Sequence, residues 1–217
     1  MSVNNLAQLP DDALLEDTNE EVCQLLHDRF KQDKPYTLLG NHRLIVVNPY
    51  KPLDLLNDVT LQAYANHGYK DLLAATDGFA APEPHVYELA TRVYFIMRRR
   101  GKDQGIVLSG VSGSGKSTTH RHILNELLLL STHTRREDKV RQQIVSVNTI
   151  VDAFTTAATT DTTTASRIGK FQSLQFNERG RIVGSHLAVY LLDKFRVTRA
   201  QTAANYHVFH QLLAGTS

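Results

Sequence analysis

The chain of 217 residues contains one cysteine, Cys23. With no second thiol, a disulfide framework within the chain is excluded, and a reducing, cytosolic setting suits it. An excess of either charge is also lacking: 24 Lys and Arg against 22 Asp and Glu leave a formal net charge of +2. That balance gives no electrostatic case for nucleic acid or for an anionic membrane surface. Long hydrophobic runs are missing as well. The longest lies around Leu127 and Leu130 and is far too short to span a bilayer. The start, MSVNNLAQLPDD, has neither a basic segment nor an apolar core, so no secretory signal is expected and the chain reads as soluble. The remaining composition, 41% apolar and 21% charged, is that of an ordinary globular protein. The length suffices for one large domain, or for a piece of something larger.

Hydrophobic periodicity predicts a helix over 11–33, with Val22, Leu25, Leu26 and Phe30 on one stripe, a capping box from Thr18 and Glu21, and Cys23 in the core. Two short apolar runs around Gly40 and Asn41 read as a strand, a tight turn and a strand ending at Asn48-Pro49. Helices are expected over 59–69 and 84–100, the second with Val86, Leu89, Ala90, Val93, Tyr94 and Met97 buried and Gly101 as its stop. The run GIVLSG reads as a short buried strand, followed by a helix over 116–130; a charged stretch, THTRREDKVRQQ, then leads into another helix ending near Phe154. The segment TTAATTDTTTAS is poor in apolar residues and reads as a loop. Two strands around the turn Glu178-Arg179-Gly180 and a final helix, NYHVFHQLLAG, complete the pattern. No repeat and no dividing linker is evident.

Between the GIVLSG strand and the helix that follows lies GVSGSGKST. Gly110, Gly115, Lys116 and Ser117 fit the spacing G-x-x-x-x-G-K-S of a phosphate loop. Its chemistry requires these residue types. Glycines let the backbone curl so that successive N–H groups face phosphate oxygens, and a helix N-terminus adds its dipole. The loop residues Val111, Ser112, Gly113, Ser114 and Thr118 contribute backbone to that cradle. The Lys116 ammonium is expected at the β and γ phosphates and the Ser117 hydroxyl on Mg²⁺. His207 and His210 share a helical face but lack a third ligand at sensible spacing, so ordinary packing or surface positions are expected for them. The basic run Arg98, Arg99, Arg100 and Lys102 sits at a helix C-terminus, where cations are favoured.

LSGVSGSGKS, IVVNPYKPL, PHVYELA, ASRIGKF, YLLDKFRV and NYHVFHQLLAG, in this order and spacing, resemble the N-terminal part of a myosin motor domain. The segments STTHRHILNELLLL and LQFNERGRIVG look most like the myosin-like motor of fungal chitin synthases. The resemblance implies an α/β fold of the myosin head type, with a P-loop nucleoside triphosphatase core and a mixed central sheet wrapped by helices. The whole chain, 1–217, is then the N-terminal portion of such a motor. It would end before switch II, the actin-binding cleft and the converter. ATP or ADP with Mg²⁺ are the implied cofactors, and actin the implied partner of the complete motor. A chitin synthase continuation would place it at the cytoplasmic face of a membrane. Asn48, Pro49, Tyr50 and Lys51 fall on the adenine-contacting segment. Thr162 falls on a switch I position that contacts nucleotide, Ser166 on the serine that ligates Mg²⁺, and Arg167 on the arginine that pairs with switch II.

The departures bear on turnover. Thr162 and Thr164 stand where the family has asparagines, and Ala165 where a serine sits beside the attacking water. A methyl group neither donates nor accepts a hydrogen bond. Val111 replaces a glutamate, TTAAT from Thr155 stands for G-N-A-K-T, and Leu55 and Leu56 occupy places where a tyrosine is common. Losing one positioned polar group in such a site costs about 10²–10³ in rate, so nucleotide holding is expected and hydrolysis is expected to be weak. Two other functions use the same residues: a nucleotide-independent structural or targeting module, and an unrelated P-loop ATPase or kinase. Because the family's sheet draws on strands beyond this chain, exposed edges and apolar faces are expected to make it aggregation-prone by itself. Size-exclusion chromatography with a thermal melt checks this, and a soluble monomer melting cooperatively would contradict it.

Overall fold

The computed structural model describes residues 19–40, 43–71, 83–160, 162–198 and 204–216, with the backbone alone at 19, 21 and 67–71. The chain divides into two compact units, Met1–Leu130 and Ser131–Ser217. No Gly- or Pro-rich linker marks the division, which is why composition does not reveal it.

The first unit begins with α1 (Asn19–Lys31); the expected cap at Thr18 lies outside the described residues. The inward stripe is Val22, Leu25, Leu26 and Arg29, not Phe30, which is 38% exposed. Arg29 takes the inward place because its Nη2 donates to Tyr36 O at 2.7 Å. Cys23 is exposed, not in the core as expected, because it lies off this stripe. Strands β1 (Tyr36–Leu39) and β2 (Arg43–Val46) form the expected antiparallel hairpin, in register from Tyr36↔Val46 to Leu39↔Arg43. A 3₁₀ turn (Asp54–Leu56) leads into α2 (Asp58–Asp71).

Helix α3 (Val86–Arg100) is stopped by Gly101, whose N–H donates to Met97 O at 2.9 Å. Its buried face is Val86, Tyr87, Ala90, Thr91, Tyr94 and Phe95. Leu89, Val93 and Met97, expected inside, are only half-buried. The face is turned because its polar tips find partners on α4 (Lys116–Ser131). The Thr91 hydroxyl donates to Glu126 Oε1 at 2.7 Å, the Tyr94 hydroxyl donates to Leu130 O at 3.2 Å, and the Tyr87 hydroxyl lies 3.3 Å from His122 Nδ1. Hydrophobicity alone undervalues such residues. Tyr36, Leu61, Val86, Tyr87, Ala90 and Ile123 form the core, joined at its edge by Ile106 and Leu108. The expected short buried strand at GIVLSG does not form, and its residues are half-buried or exposed. Ile106 and Leu108 pack inward and Val107 between them is 91% exposed, but no strand pairs with this segment among the described residues.

In the second unit, α5 (Arg135–Thr155) opens on a capping box between Thr134 and Glu137. Glu137 also receives Arg181 Nη1 at 3.2 Å. Strands β3 (Thr156–Ala157) and β4 (Ala165–Ser166) pair antiparallel within the expected loop. The long hairpin of β5 (Gly169–Phe176) and β6 (Ile182–Tyr190) has a bulge at Gln175/Phe176, and Asn177 Oδ1 organises its turn by accepting from Arg179 N and Arg181 N. Helices α6 (Phe195–Thr198) and α7 (His207–Gly215) follow. The described strands thus form three two-stranded antiparallel sheets, and the expected mixed central sheet is not among them. No helix of the described residues is long and apolar enough to cross a membrane.

Two buried titratable groups shape the first unit's response to pH. His85 caps α3 by accepting from Tyr87 N through Nδ1, which requires a neutral ring, and burial pushes its pKa down to about 4. Its contribution is complete above about 6.5 and is lost as pH falls toward 4, because the unfolded state gains the proton first. Glu126 is fully buried, and its Oε2 has no partner among the described groups. Burial pushes its pKa up to about 7, against the hydrogen bond from Thr91. Its contribution is complete below about 4.5 and is lost as pH rises through 7. Each shift corresponds to about 3 kcal/mol, so the two slopes oppose one another between about 4.5 and 6.5. We expect Glu126→Gln to gain on the wild type by about 3 kcal/mol between pH 4.5 and 8. Parallel melting-temperature profiles of the two proteins across that range would refute it.

Candidate functional site

The glycine-rich loop lies between two anchors, Ile106 and Leu108 on one side and α4 on the other. Gly110 has φ 150° and Gly113 φ 79°, values that L side chains adopt at a cost. A Cβ on Gly110 would stand 2.6 Å from Ser114 Oγ. Lys116, at the first position of α4, turns its ammonium back over the loop and donates to Gly110 O and Val111 O, both at 2.7 Å. The first turn of α4 leaves N–H groups at residues 116–118 without intrahelical acceptors, and Ser117 and Thr118 are exposed beside them. The Ser114 hydroxyl oxygen is buried with no hydrogen-bond partner. A positive ammonium, a helix N-terminus and an unpartnered buried hydroxyl suit a polyphosphate. Val111 is 78% exposed and Ser112 is exposed too, so neither packs into the unit.

The segment after β2 meets this loop. Asn48 Nδ2 donates to Gly113 O at 2.7 Å, and the Tyr50 hydroxyl donates to the same oxygen at 3.2 Å. Asn48 Oδ1 accepts from Tyr50 N at 3.1 Å, and Tyr50 has φ 52°. Pro49 lies between them, and Lys51 Nζ pairs with Asp33 Oδ1 at 2.6 Å. The segment expected at the adenine thus meets the glycine loop, and its bonds to Gly113 were not foreseen.

The second unit holds the remaining candidates. Ala165 is 4% exposed and pairs with Ala157, so its methyl is core, while Ser166 beside it is exposed. Thr162 serves its own loop: its carbonyl accepts from Thr159 N at 2.8 Å and its hydroxyl from Thr164 N at 3.4 Å. Arg167, expected to lack its partner, faces Asp193 with Nε 3.7 Å from Oδ2, and Arg167 N donates to Thr155 O at 2.9 Å. Asp193 O accepts from the Tyr206 hydroxyl at 2.6 Å. His207 stands between Thr163 O, 3.0 Å from Nε2, and Thr156 Oγ1, 3.2 Å from Nδ1. It ties the threonine-rich loop to α7, a packing role in line with expectation. Among the described residues no group of three His, Cys, Asp or Glu is arranged for a metal ion.

Residues 9–217 match the family described as myosin head (motor domain). The chain belongs to the myosin head family. This myosin head chain is similar to unconventional myosin-Ia of Gallus gallus, 33% identical over 100% of this chain and 20% of that protein. It is similar to unconventional myosin-IXa of Homo sapiens, 38% identical over 94% of this chain and 8% of that protein. It also matches chitin synthase 8 of Mycosarcoma maydis, 37% identical over 92% of this chain and 10% of that protein. The myosin head chain thus spans a fifth or less of the length of these relatives. Helices and small sheets make up its described part.

We expect Gly110→Ala to lower stability by about 1–3 kcal/mol, through its backbone conformation and its approach to Ser114. Urea melts of Gly110→Ala, Ser114→Ala and the double variant separate the two sources. If the single variant melts like the wild type, the loop conformation described for Gly110 is wrong.

Proposed function

We propose that this chain is the nucleotide-holding N-terminal portion of a myosin-type motor domain with a P-loop nucleoside triphosphatase core. Residues 110–118 would cradle the phosphates of ATP or ADP, with Lys116 at the outer phosphates. The hydroxyls of Ser117 and Ser166 would ligate Mg²⁺. The segment from Asn48 to Lys51 would contact the nucleotide, Thr162 would contribute from switch I, and Arg167 is the candidate charged group of the switch. One observation carries the proposal: within a myosin head chain, the Lys116 ammonium stands over a left-handed glycine loop at the head of α4.

Hydrolysis is proposed to be weak. Ala165 supplies no hydroxyl and is packed against Ala157, and the Thr162 hydroxyl accepts a bond from its own loop. The same two residues favour a second reading, a structural or targeting module that no longer turns over nucleotide. In a longer protein, the relation to myosins and to a chitin synthase supports an actin-linked motor or a tether. It would act in the cytoplasm or at the cytoplasmic face of a membrane.

Melting temperatures with and without Mg·ATP, beside Lys116→Ala, test the nucleotide reading. A ligand that binds only the folded state adds about 2.7 kcal/mol at 100 times its Kd. The expected result is a rise in the wild type that Lys116→Ala abolishes. A cooperative melt that nucleotide leaves unmoved would refute nucleotide holding and leave the structural module.

A further inference from the structure

Asn48 touches both the hairpin extension and the glycine loop, with two separate functional groups. Its position is inherited from the core. Tyr36 and Val46 close the β1–β2 hairpin on the core cluster, and Val47 N extends that ladder by donating to Pro35 O at 2.9 Å. The next residue is Asn48, with Oδ1 accepting from Tyr50 N and Nδ2 donating to Gly113 O. A Cβ on Gly115 would lie 3.6 Å from Asn48 Cγ, so the amide also lies against the start of α4. The ion pair of Lys51 with Asp33 holds the far side of the segment.

The Gly113 carbonyl and the Ser114 N–H belong to one trans peptide plane and point in opposite directions. A side chain that holds Gly113 O on the outside therefore keeps Ser114 N–H turned inward. On that inner side Ser114 N lies 3.3 Å from Val111 O, the same oxygen that receives Lys116 Nζ. A bond of that length is at the weak end for an amide, so this N–H is available to a stronger acceptor. An outward carbonyl held by two donors and an inward N–H beside an ammonium form the alternation that an anion-binding backbone nest requires.

We infer that Asn48 is a positioning residue for the phosphate loop and acts on the phosphate portion of a nucleotide, not on its base. The inference rests on the nucleotide-holding function proposed above. Tyr50, through its hydroxyl, supports the same carbonyl more weakly, because it is 76% exposed and its bond is longer.

The test is calorimetric titration of the full chain with Mg·tripolyphosphate, Mg·ATP and Mg·GTP. Asn48→Ala should weaken all three by a common factor, about five- to tenfold for one lost hydrogen bond, and leave the ATP-to-GTP ratio unchanged. Tyr50→Phe should act in the same direction with a smaller factor. If Asn48→Ala loses its cooperative melt, Asn48→Ser takes its place: it keeps an oxygen for Tyr50 N–H and is too short to reach Gly113. Weaker ATP binding with tripolyphosphate untouched, or a changed ATP-to-GTP ratio, would place Asn48 at the base and overturn the inference. Wild type that binds ATP but not tripolyphosphate would overturn it too, since the loop would then hold no phosphate unaided. Wild type that binds none of the three would overturn the nucleotide-holding function itself.

Discussion

A glycine-rich loop keeps a shape only when both of its ends are anchored, and everything at the candidate site follows from that anchoring. On the entry side Ile106 and Leu108 reach the core beside Tyr36 and Val86; on the exit side Ile123 of α4 is part of the same core. Apolar burial of about 1.5–3 kcal/mol for each large side chain fixes two points in space, and the backbone between them takes the left-handed conformations that glycine permits. Helix α3 secures α4 further through the Thr91–Glu126 and Tyr94–Leu130 bonds. The hairpin is fixed by the same core and delivers Asn48 and Tyr50 to the middle of the loop. Three sequence-distant segments converge because each is tied to one cluster of side chains.

The departures from the family acquire a physical setting in the second unit. Ala165 is not a hydroxyl deleted from a solvated position; its methyl fills a buried place opposite Ala157. A hydroxyl there would need a partner to avoid a desolvation cost. Arg167 is held by Asp193, which is itself fixed by the Tyr206 hydroxyl and faces Arg196 at 3.5 Å. The threonine-rich loop closes on itself through Thr159 and Thr162 and is tethered by His207.

Much of this architecture was legible in the amino-acid order. The β1–β2 hairpin, α2 to α4, the end of α5, the β5–β6 hairpin and α7 follow from periodicity and punctuation, while α5 starts at Arg135, inside the stretch read as a charged lead-in; the loop motif and the family segments named the candidate site. What escaped has a common cause. Arg29, Thr91 and Glu126 are buried by virtue of hydrogen bonds, which no hydrophobic stripe records, so α3 was expected with the wrong flank inside and Phe30 in place of Arg29. Asn48 reads as a turn residue before proline, and nothing local reveals that its amide reaches a carbonyl 65 positions away. The 106–110 segment has a strand's alternation without a strand's partner, and alternation is all that a sequence displays.

Lys116 carries a consequence for selectivity. Its ammonium does not wait in solvent; it already holds two carbonyl oxygens at 2.7 Å. An arriving anion must compete for it and gains only the difference between its own attraction and that of the two dipoles. A lone singly charged ion offers little beyond what the carbonyls provide. A chain of phosphates can offer several charged oxygens to the ammonium and to the N–H groups of α4 at once. If the loop holds phosphates as proposed, its partial self-satisfaction would set a threshold: small singly charged anions would be passed over, and a ligand with enough charge in the right length would displace the carbonyls.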